Sequence, residues 1–525
     1  MGVTMGFEFS AKALGYTVAL IAAIFISIYI SSVCRVHLSS PIELLRGGEV
    51  GEKEPKAKWL LSVIGLLCLG AGYYLAVTTQ NPLSALMIFF VAALLVIVGT
   101  YLLFMTGSIA LLKILKKNKK YYYKTRHFIS VSSMFYRMKQ NAAGLANICI
   151  LSTAVLVMVS STLSLWVGME DVLDDRYPNE YIMYLASTDE KDVDSMHQTV
   201  DQMLQKYDLE QTEKVEYEVL SFTVLEMDDV FSMDREKLGD FTLDDLRNLF
   251  VIPLSDYNRQ TGENVSLAED EVLFYYNRVD YAKDSFRLGD HTFRIKKRLN
   301  SFPGNGFMAA DIASSYFMVV KDEDVMQTIY QSQKEVYGET ASEIEQYYGF
   351  DVNTTDHDTL VGGYRMLKSS LPDYCGLESR EASKQGFISI YGSLFFLGIF
   401  LGVLFLTATA LIIYYKQVTE GYEDRERYEI MQKVGLERKE IKVSIRSQIL
   451  TVFFLPLVMS VVHICFAFPV IEKLLAIFSM NNRKLFLLCT AVCILAFTVI
   501  YVVIYSLTSK VYYNLSINKG SQKEV

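Results

Sequence analysis

The chain of 525 residues has little that could serve catalysis or covalent cross-linking. Only one of its seven cysteines, Cys375, lies in the polar middle of the sequence, so no disulfide framework can stabilise that region. The six histidines are scattered, and neither an H-x-x-x-H nor a C-x-x-C pair points to a zinc site. The absence of the G-x-x-x-x-G-K-[ST] and G-x-S-x-G patterns excludes a P-loop ATPase and a nucleophile-elbow hydrolase. We predict a protein that is not an enzyme and that has no metal and no cofactor.

Charged residues are almost missing from seven long apolar runs. The runs lie at about 13–33, 59–79, 83–112, 143–167, 387–415, 447–471 and 485–508. Each is close to or above the ~20 residues that cross a ~30 Å hydrocarbon core. With a hydrophobic content of 51% and a mean hydropathy of +0.23, the chain is predicted to be a polytopic α-helical membrane protein of about seven transmembrane helices. Because the runs lack buried charge, no ion relay is expected, and the lone His463 is interpreted as a helix-packing residue, with a transport site as the alternative.

The middle of the chain differs sharply in charge from the rest. Residues 169–384 hold 45 acidic and 21 basic residues, a net charge of −24, whereas the rest holds 14 acidic and 29 basic residues, a net charge of +15. Period-2 patterns at 181–187 and 214–227 predict strands, a 3.6-residue pattern at 189–207 predicts a helix, and Gly289-Asp290 predicts a hairpin turn. We therefore predict a large acidic α+β extracellular domain of one or two lobes at 168–386, with any ligand-binding residues within it unidentified.

The distribution of lysine and arginine predicts the orientation in the membrane. The segments after runs one, three, five and seven hold 25 basic residues, whereas the opposite side outside the acidic domain holds four. The positive-inside rule then places the N-terminus outside and the C-terminus in the cytosol of a plasma-membrane protein. The predicted cytosolic segments are a linker at 34–58, a basic elbow at 113–142, a second elbow at 416–446 and a tail at 509–525. In the basic elbow, an amphipathic surface helix is expected to lead into run four.

The elbow at 416–446 carries eight basic and seven acidic residues between two membrane runs. Glu420, Glu423 and Asp424 lie towards the start of its first predicted helix, where they would suit the helix dipole, and Gly435 is a helix stop. A second helix from about Glu437 is expected to run directly into the sixth span. The elbow is either a solvated connection or the contact through which a soluble protein moves the membrane helices.

The segment from Arg427 to Gly435, RYEIMQKVG, resembles the C-terminal module of FtsX-like permeases of ABC transporters. The order of segments along the chain resembles the bacitracin-resistance branch of that superfamily. This order is PIELLRGG after a span, then a basic elbow, then one external domain, and finally three closing spans. That branch has ten spans. The resemblance implies that residues 1–33 hold the last helix of an N-terminal module whose first three spans are missing. It also implies two spans in 59–112, one span in 143–167 and the C-terminal module in 387–508. No cleaved signal peptide is expected.

The resemblance also implies a function and partners. It implies the permease subunit of an ABC transporter that acts in antimicrobial-peptide resistance and sensing and is driven by two copies of a separate ATP-binding subunit. Further implied partners are a membrane sensor histidine kinase, a cationic peptide antibiotic or its lipid-carrier complex, and membrane lipids, but not nucleic acid. The alternative is a non-transporting scaffold that transmits movement to a kinase or to cell-wall enzymes. The residues expected to couple to the ATPase are Arg427, Glu429, Met431, Lys433, Val434, Gly435, Leu436 and Lys439.

Overall fold

The computed structural model describes residues 10–38, 58–79, 82–117, 125–233, 245–277, 279–302, 306, 314–433, 438–478, 480 and 482–517. Seven of its helices are long and apolar enough to cross a membrane, and an α+β domain is inserted between the fourth and the fifth. The predicted fold class is therefore confirmed. We call the end of the helical bundle that carries the domain the domain side, and the opposite end the far side.

The helices follow the apolar runs and the helical patterns of the domain. They are α1 (Ala11–Leu38), α2 (Trp59–Thr78), α3 (Pro82–Leu102), α4 (Ser108–Lys117), α5 (Thr125–Val167), α6 (Met169–Arg176), α7 (Glu190–Tyr207), α8 (Leu254–Thr261), α9 (Glu323–Tyr337), α10 (His357–Ser370), α11 (Arg380–Lys433), α12 (Arg438–Ala476) and α13 (Arg483–Ile517). A π-helical turn, Leu103–Gly107, joins α3 to α4. The predicted helix at 189–207 corresponds to α7, which Asp189 caps by accepting a hydrogen bond from the backbone N–H of Lys191.

Two of these helices are much longer than a bilayer requires. Helix α5 has 43 residues and α11 has 54, so at 1.5 Å per residue they extend over roughly 65 and 80 Å. A bilayer with its headgroups is about 40–45 Å thick. The helix that was expected to lead into span four is present as the start of α5 and is continuous with the span. One expectation is wrong, because Glu420, Glu423 and Asp424 lie deep within α11 rather than near the start of a helix.

The domain is built on a single ten-stranded sheet. Its strands are β1 (Tyr181–Leu185), β2 (Gln211–Met227), β3 (Val230–Ser232), β4 (Leu246–Pro253), β5 (Glu271–Tyr276), β6 (Ser285–Leu288), β7 (His291–Arg298), β8 (Ser314–Val320), β9 (Ile344–Val352) and β10 (Cys375–Ser379). Their order is β10-β1-β9-β2-β3-β6-β7-β5-β8-β4, and β2 also pairs with β4. The predicted strands at 181–187 and 214–227 and the β6–β7 hairpin at Gly289-Asp290 are present, with Gly289 at a φ of 58°.

One apolar core runs from the sheet into the membrane bundle. It joins residues on one face of the sheet, such as Phe317 and Tyr347, to Leu165 at the end of α5 and to Ile471 and Phe486 of α12 and α13. All five side chains are buried. Because burial of apolar surface favours contact between the two parts, the domain packs on the domain side of the bundle through this core rather than hanging from flexible connections.

A partly buried ion cluster on the sheet makes the domain sensitive to acid. His197 Nε2 and Lys214 Nζ lie 2.9 and 2.7 Å from the two carboxylate oxygens of Glu216. Burial by itself would raise the pKa of Glu216, but the hydrogen bonds from His197 and Lys214 outweigh it and lower the pKa to about 2. A carboxyl whose pKa falls on folding stabilises the fold above its unfolded pKa, and this contribution is lost as the pH drops towards the folded pKa.

Replacing Glu216 by glutamine should therefore destabilise the protein at neutral pH by up to about 3 kcal/mol. The difference from the wild type should shrink as the pH is lowered from about 4.5 towards 2. Thermal unfolding of the purified protein in detergent at a series of pH values measures this. Glu213→Gln, at an exposed position on the same strand, is the control and should have little effect at any pH. A destabilisation by Glu216→Gln that does not vary with pH would contradict the role of the ion cluster.

Candidate functional site

Five of the eight predicted coupling residues lie at the end of α11 and the start of α12, on the far side. Arg427, Glu429, Met431 and Lys433 occupy the last two turns of α11, and Lys439 lies in the first turn of α12. Val434, Gly435 and Leu436 fall outside the described residues. Both arms of the elbow are thus continuous with membrane helices. A force applied to either arm acts on a helix that crosses the bilayer.

Helices α5 and α11 pack closely within the membrane. A Cβ atom at Gly398 would lie 2.9 Å from Cβ of Thr162, and one at Gly402 would lie 2.8 Å from a methyl group of Val159. Small residues four apart let two membrane helices approach until their backbones are nearly in contact. The rings of Trp166 and Phe395 stack nearby with centroids 5.9 Å apart. Through these contacts α5 and α11 pack directly against each other along this stretch.

Near the far side, a buried polar cluster connects the same two helices. Asn141 of α5 donates a hydrogen bond from Nδ2 to Glu420 Oε1 of α11. Lys416 Nζ, one turn before Glu420, donates to Asn141 Oδ1 at 2.9 Å. Asn141 is 3% exposed and Glu420 is 5% exposed. A buried carboxylate is stable only with such partners, so the cluster fixes the register of α11 against α5.

A second buried contact attaches α13 to the same stretch of α11. The hydroxyl of Tyr512 donates to Asp424 Oδ2 at 2.7 Å, and both side chains are buried. Leu515 of α13 packs against Gly421, where a Cβ atom would lie 3.2 Å from that of the leucine. The far-side cluster, defined as Asn141, Lys416, Glu420, Asp424 and Tyr512, therefore joins α5, α11 and α13 immediately before the predicted elbow.

The far-side cluster was not predicted from the sequence. Glu420 and Asp424 were interpreted as part of a charge run that lies in water, whereas the structure buries them. One signal was available, because Lys416, Glu420 and Asp424 recur four residues apart and so share one face of a helix. The partners Asn141 and Tyr512 come from distant parts of the chain, and nothing in their local sequence indicates the contact.

His463 lies in the membrane-spanning part of α12 and holds two other helices. Its Nδ1 lies 2.6 Å from the Tyr73 hydroxyl, and its Nε2 lies 3.1 Å from Thr100 Oγ1. The Thr100 hydroxyl donates to the carbonyl of Val96, so it accepts a hydrogen bond from Nε2–H, and in the neutral imidazole Nδ1 then accepts a hydrogen bond from the Tyr73 hydroxyl. Both ring nitrogens are thus hydrogen-bonded, which supports the helix-packing interpretation. It also lines an apolar cavity of about 220 Å³ between α2, α3, α5 and α12.

Replacing His463 by leucine should destabilise the bundle by about 1–3 kcal/mol, because the partly buried Tyr73 hydroxyl loses its hydrogen-bond partner. Tyr73→Phe removes the hydroxyl itself, so no unpaired hydroxyl remains in the double variant. The double variant should therefore lose less stability than the two single variants lose together. Thermal midpoints of the four proteins form a double-mutant cycle that measures this coupling. Strictly additive losses would show that the two side chains do not depend on each other.

Comparison with known proteins agrees with this architecture. No protein-family profile matches the chain. The chain is 28% identical to the ABC transporter permease protein YxdM of Bacillus subtilis, over 87% of this chain and 69% of the relative. It is 24% identical to the bacitracin export permease protein BceB of Halalkalibacterium halodurans and 23% identical to BceB of Bacillus subtilis. Each of these two matches covers 88% of this chain and 70% of the relative. The chain is therefore similar over most of its length to ABC transporter permeases, among them bacitracin export permeases.

Proposed function

We propose that this permease acts in resistance to and sensing of cell-wall-directed antimicrobial peptides and is driven by a separate ATP-binding subunit, in two copies. The observation that carries the proposal is the pair α5 and α11. Each is one continuous helix from the far side to the α+β domain, and α11 ends at the predicted coupling residues. Since ABC permeases work with ATP-binding subunits, ATP-driven movement at the elbow would reach the domain along these two helices.

The proposed ligand is a cationic peptide or its complex with a lipid carrier. Two bacitracin export permeases are among the relatives of the chain. Residues 169–384 carry a net charge of −24, and a field of that sign attracts cationic ligands and raises their local concentration. The proposed orientation follows from the basic residues: the α+β domain lies outside the cell, where such peptides act, and the far side with its elbow lies in the cytosol. A membrane sensor histidine kinase is the proposed partner for sensing.

Charge reversal in the elbow tests the ATPase contact. Arg427→Glu combined with Lys433→Glu should prevent co-purification of the ATP-binding subunit and abolish peptide resistance, because both charges lie in the last two turns of α11. Co-purification from membranes and growth in the presence of bacitracin measure the two effects.

Lys510→Glu is the matched control, since Lys510 is an exposed basic residue on the far side near the end of α13. It should leave both the association and the resistance unchanged. If the elbow variant keeps its ATPase and its resistance, the elbow is not the contact. If the wild-type protein purifies with no ATP-binding subunit at all, the proposed function itself is wrong.

A second candidate function is a non-transporting scaffold whose ATPase cycle only moves the domain. The same continuous helices favour it, since they transmit movement whether or not a ligand is carried. Proteoliposomes that contain the permease and its ATPase distinguish the two. Transport predicts ATP-dependent loss of a labelled peptide from the membrane, whereas the scaffold predicts movement of the domain with the bound peptide unchanged.

A further inference from the structure

Two connections join the α+β domain to the membrane bundle, and they leave the sheet side by side. The entering connection runs from α5 through α6 into β1, and the exiting connection passes from β10 directly into α11. Strands β1 and β10 are antiparallel neighbours, with Tyr181 opposite Ser379. Both long helices are therefore attached at one edge of the sheet, and any slippage between β1 and β10 would separate their movements.

Backbone and side-chain hydrogen bonds tie the two connections at the membrane end of this strand pair. The carboxylate of Glu180, on the entering side, accepts hydrogen bonds from the Ser379 hydroxyl at 2.7 Å and from the backbone N–H of Glu381 at 3.1 Å. The backbone N–H of Arg380 donates to the carbonyl of Glu180 at 2.9 Å. These three bonds fix the first turn of α11 against the chain that enters β1.

A partly buried ion pair makes the same link on the face of the sheet. Arg176, the last residue of α6, lies with Nη2 2.5 Å from Glu378 Oε1 of β10. The two side chains are 12% and 28% exposed, and the guanidinium also lies over the ring of Tyr177. Removal of one partner of a buried pair leaves the other charge uncompensated, so such a pair is costly to break.

Further ion pairs join the two connections at the surface. Arg380 pairs with Asp174 and lies 3.8 Å from Glu170, and Lys384 lies 3.5 Å from Glu170. These side chains are 35–61% exposed, and exposed pairs contribute little because water and salt screen them. Of the ion pairs across the junction in the described part of the chain, Arg176 with Glu378 is the least exposed and therefore the one that water and salt screen least.

We infer that Arg176 and Glu378 are the positioning pair that holds the two connections in register, so that the α+β domain, α5 and α11 move as one body. The inference rests on the proposed function, in which movement passes along these helices, and it names where that movement enters the domain. Neither residue touches the ATPase elbow, which lies at the opposite end of α11. The pair therefore acts on transmission and not on assembly with the ATP-binding subunit.

Charge inversion with rescue tests the pair in the purified full chain, by hydrogen–deuterium exchange of the backbone amides. Arg176→Glu and Glu378→Arg should each raise the exchange rates of residues 171–181 and 376–382 at least tenfold, and leave β4 and β8 unchanged. The double variant, which restores the pair in reverse, should bring the rates back to within about threefold of the wild type. Arg294→Glu, which breaks the exposed pair of Arg294 with Glu271, is the control and should not affect the junction.

Three results would overturn the inference: unchanged exchange at the junction in the single variants, faster exchange across the whole sheet, or no recovery in the double variant. If the inverted single variants fail to fold, Arg176→Gln and Glu378→Gln are measured instead, with the same localised increase expected. The exchange experiment needs neither ATP nor a partner. Its outcome is therefore independent of the proposed function. A separate experiment tests the proposed function: the single variants should lose peptide resistance while the ATP-binding subunit stays bound.

Discussion

Replacing Gly398 by leucine should abolish peptide resistance and lower the stability of the bundle by about 3 kcal/mol, because the added side chain must occupy space that α5 already fills. A Cβ atom at this position would already lie 2.9 Å from Cβ of Thr162. The two helices would have to separate, and their close contact at Gly402, one turn further along, would be lost as well. The thermal midpoint in detergent measures the stability, and growth in bacitracin measures the function.

Gly386→Leu is the matched control, because Gly386 lies on the same helix and a Cβ atom there would meet nothing within 4 Å. Leucine favours helix more than glycine does, so this variant should be at least as stable as the wild type. If Gly398→Leu and Gly386→Leu behave alike, close packing of α5 against α11 does not hold the bundle together. A variant of Gly398 that is unstable but still confers resistance would instead separate packing from transmission.

Local sequence patterns predicted the parts of this fold that depend on local physics. Long apolar runs predicted the seven membrane helices, because a helix that crosses hydrocarbon must be apolar over about 20 residues. Within the domain, Gly289-Asp290 predicted the β6–β7 hairpin, because a tight turn needs a residue that adopts positive φ. The α7 helix was predicted from Val193, Met196, Val200 and Leu204, which share one helical face, and the structure buries Met196 and Val200.

Features that depend on distant contacts were missed. The order of the sheet brings β10 next to β1, although about 190 residues of chain separate them, and no local pattern encodes such a pairing. The charge run after span five looked like a separate elbow because charged residues usually face water. In the structure α11 continues into this run as far as Lys433, and Asn141 and Tyr512 bury part of it. The close approach at Gly398 and Gly402 did have a signal, a G-x-x-x-G motif within an apolar run.

The far-side cluster and the junction with the domain lie at opposite ends of the same two helices. At one end Asn141 is bonded to Glu420, and at the other Arg176 is paired with Glu378. Between them the contacts are apolar and close, as at Gly398. Hydrogen bonds and ion pairs have defined partners and so fix register, whereas apolar contacts resist separation but tolerate sliding. A pair of helices built in this way can move as a unit when one end is displaced.

Replacing Glu420 by leucine should accordingly be the most damaging change on the far side. It leaves the buried amide of Asn141 without its acceptor and removes the carboxylate one turn from Lys416, so we expect a loss of about 3–5 kcal/mol together with loss of resistance. Glu420→Gln keeps an oxygen that can accept from Asn141 and should retain most of the stability. The thermal midpoints of the purified variants measure their relative stability, and that of Glu420→Leu should be the lower of the two.

Glu423→Leu makes the same chemical change at an exposed position less than one turn away and is the matched control. A surface substitution of this kind is expected to change stability by no more than about 0.5 kcal/mol. Equal midpoints for Glu420→Leu and Glu423→Leu would mean that the charged stretch is a solvated connection after all, and the register of α11 would then have to be set elsewhere. A large loss confined to Glu420→Leu would instead place the determinant of that register among Asn141, Lys416 and Glu420, immediately before the residues proposed to meet the ATP-binding subunit.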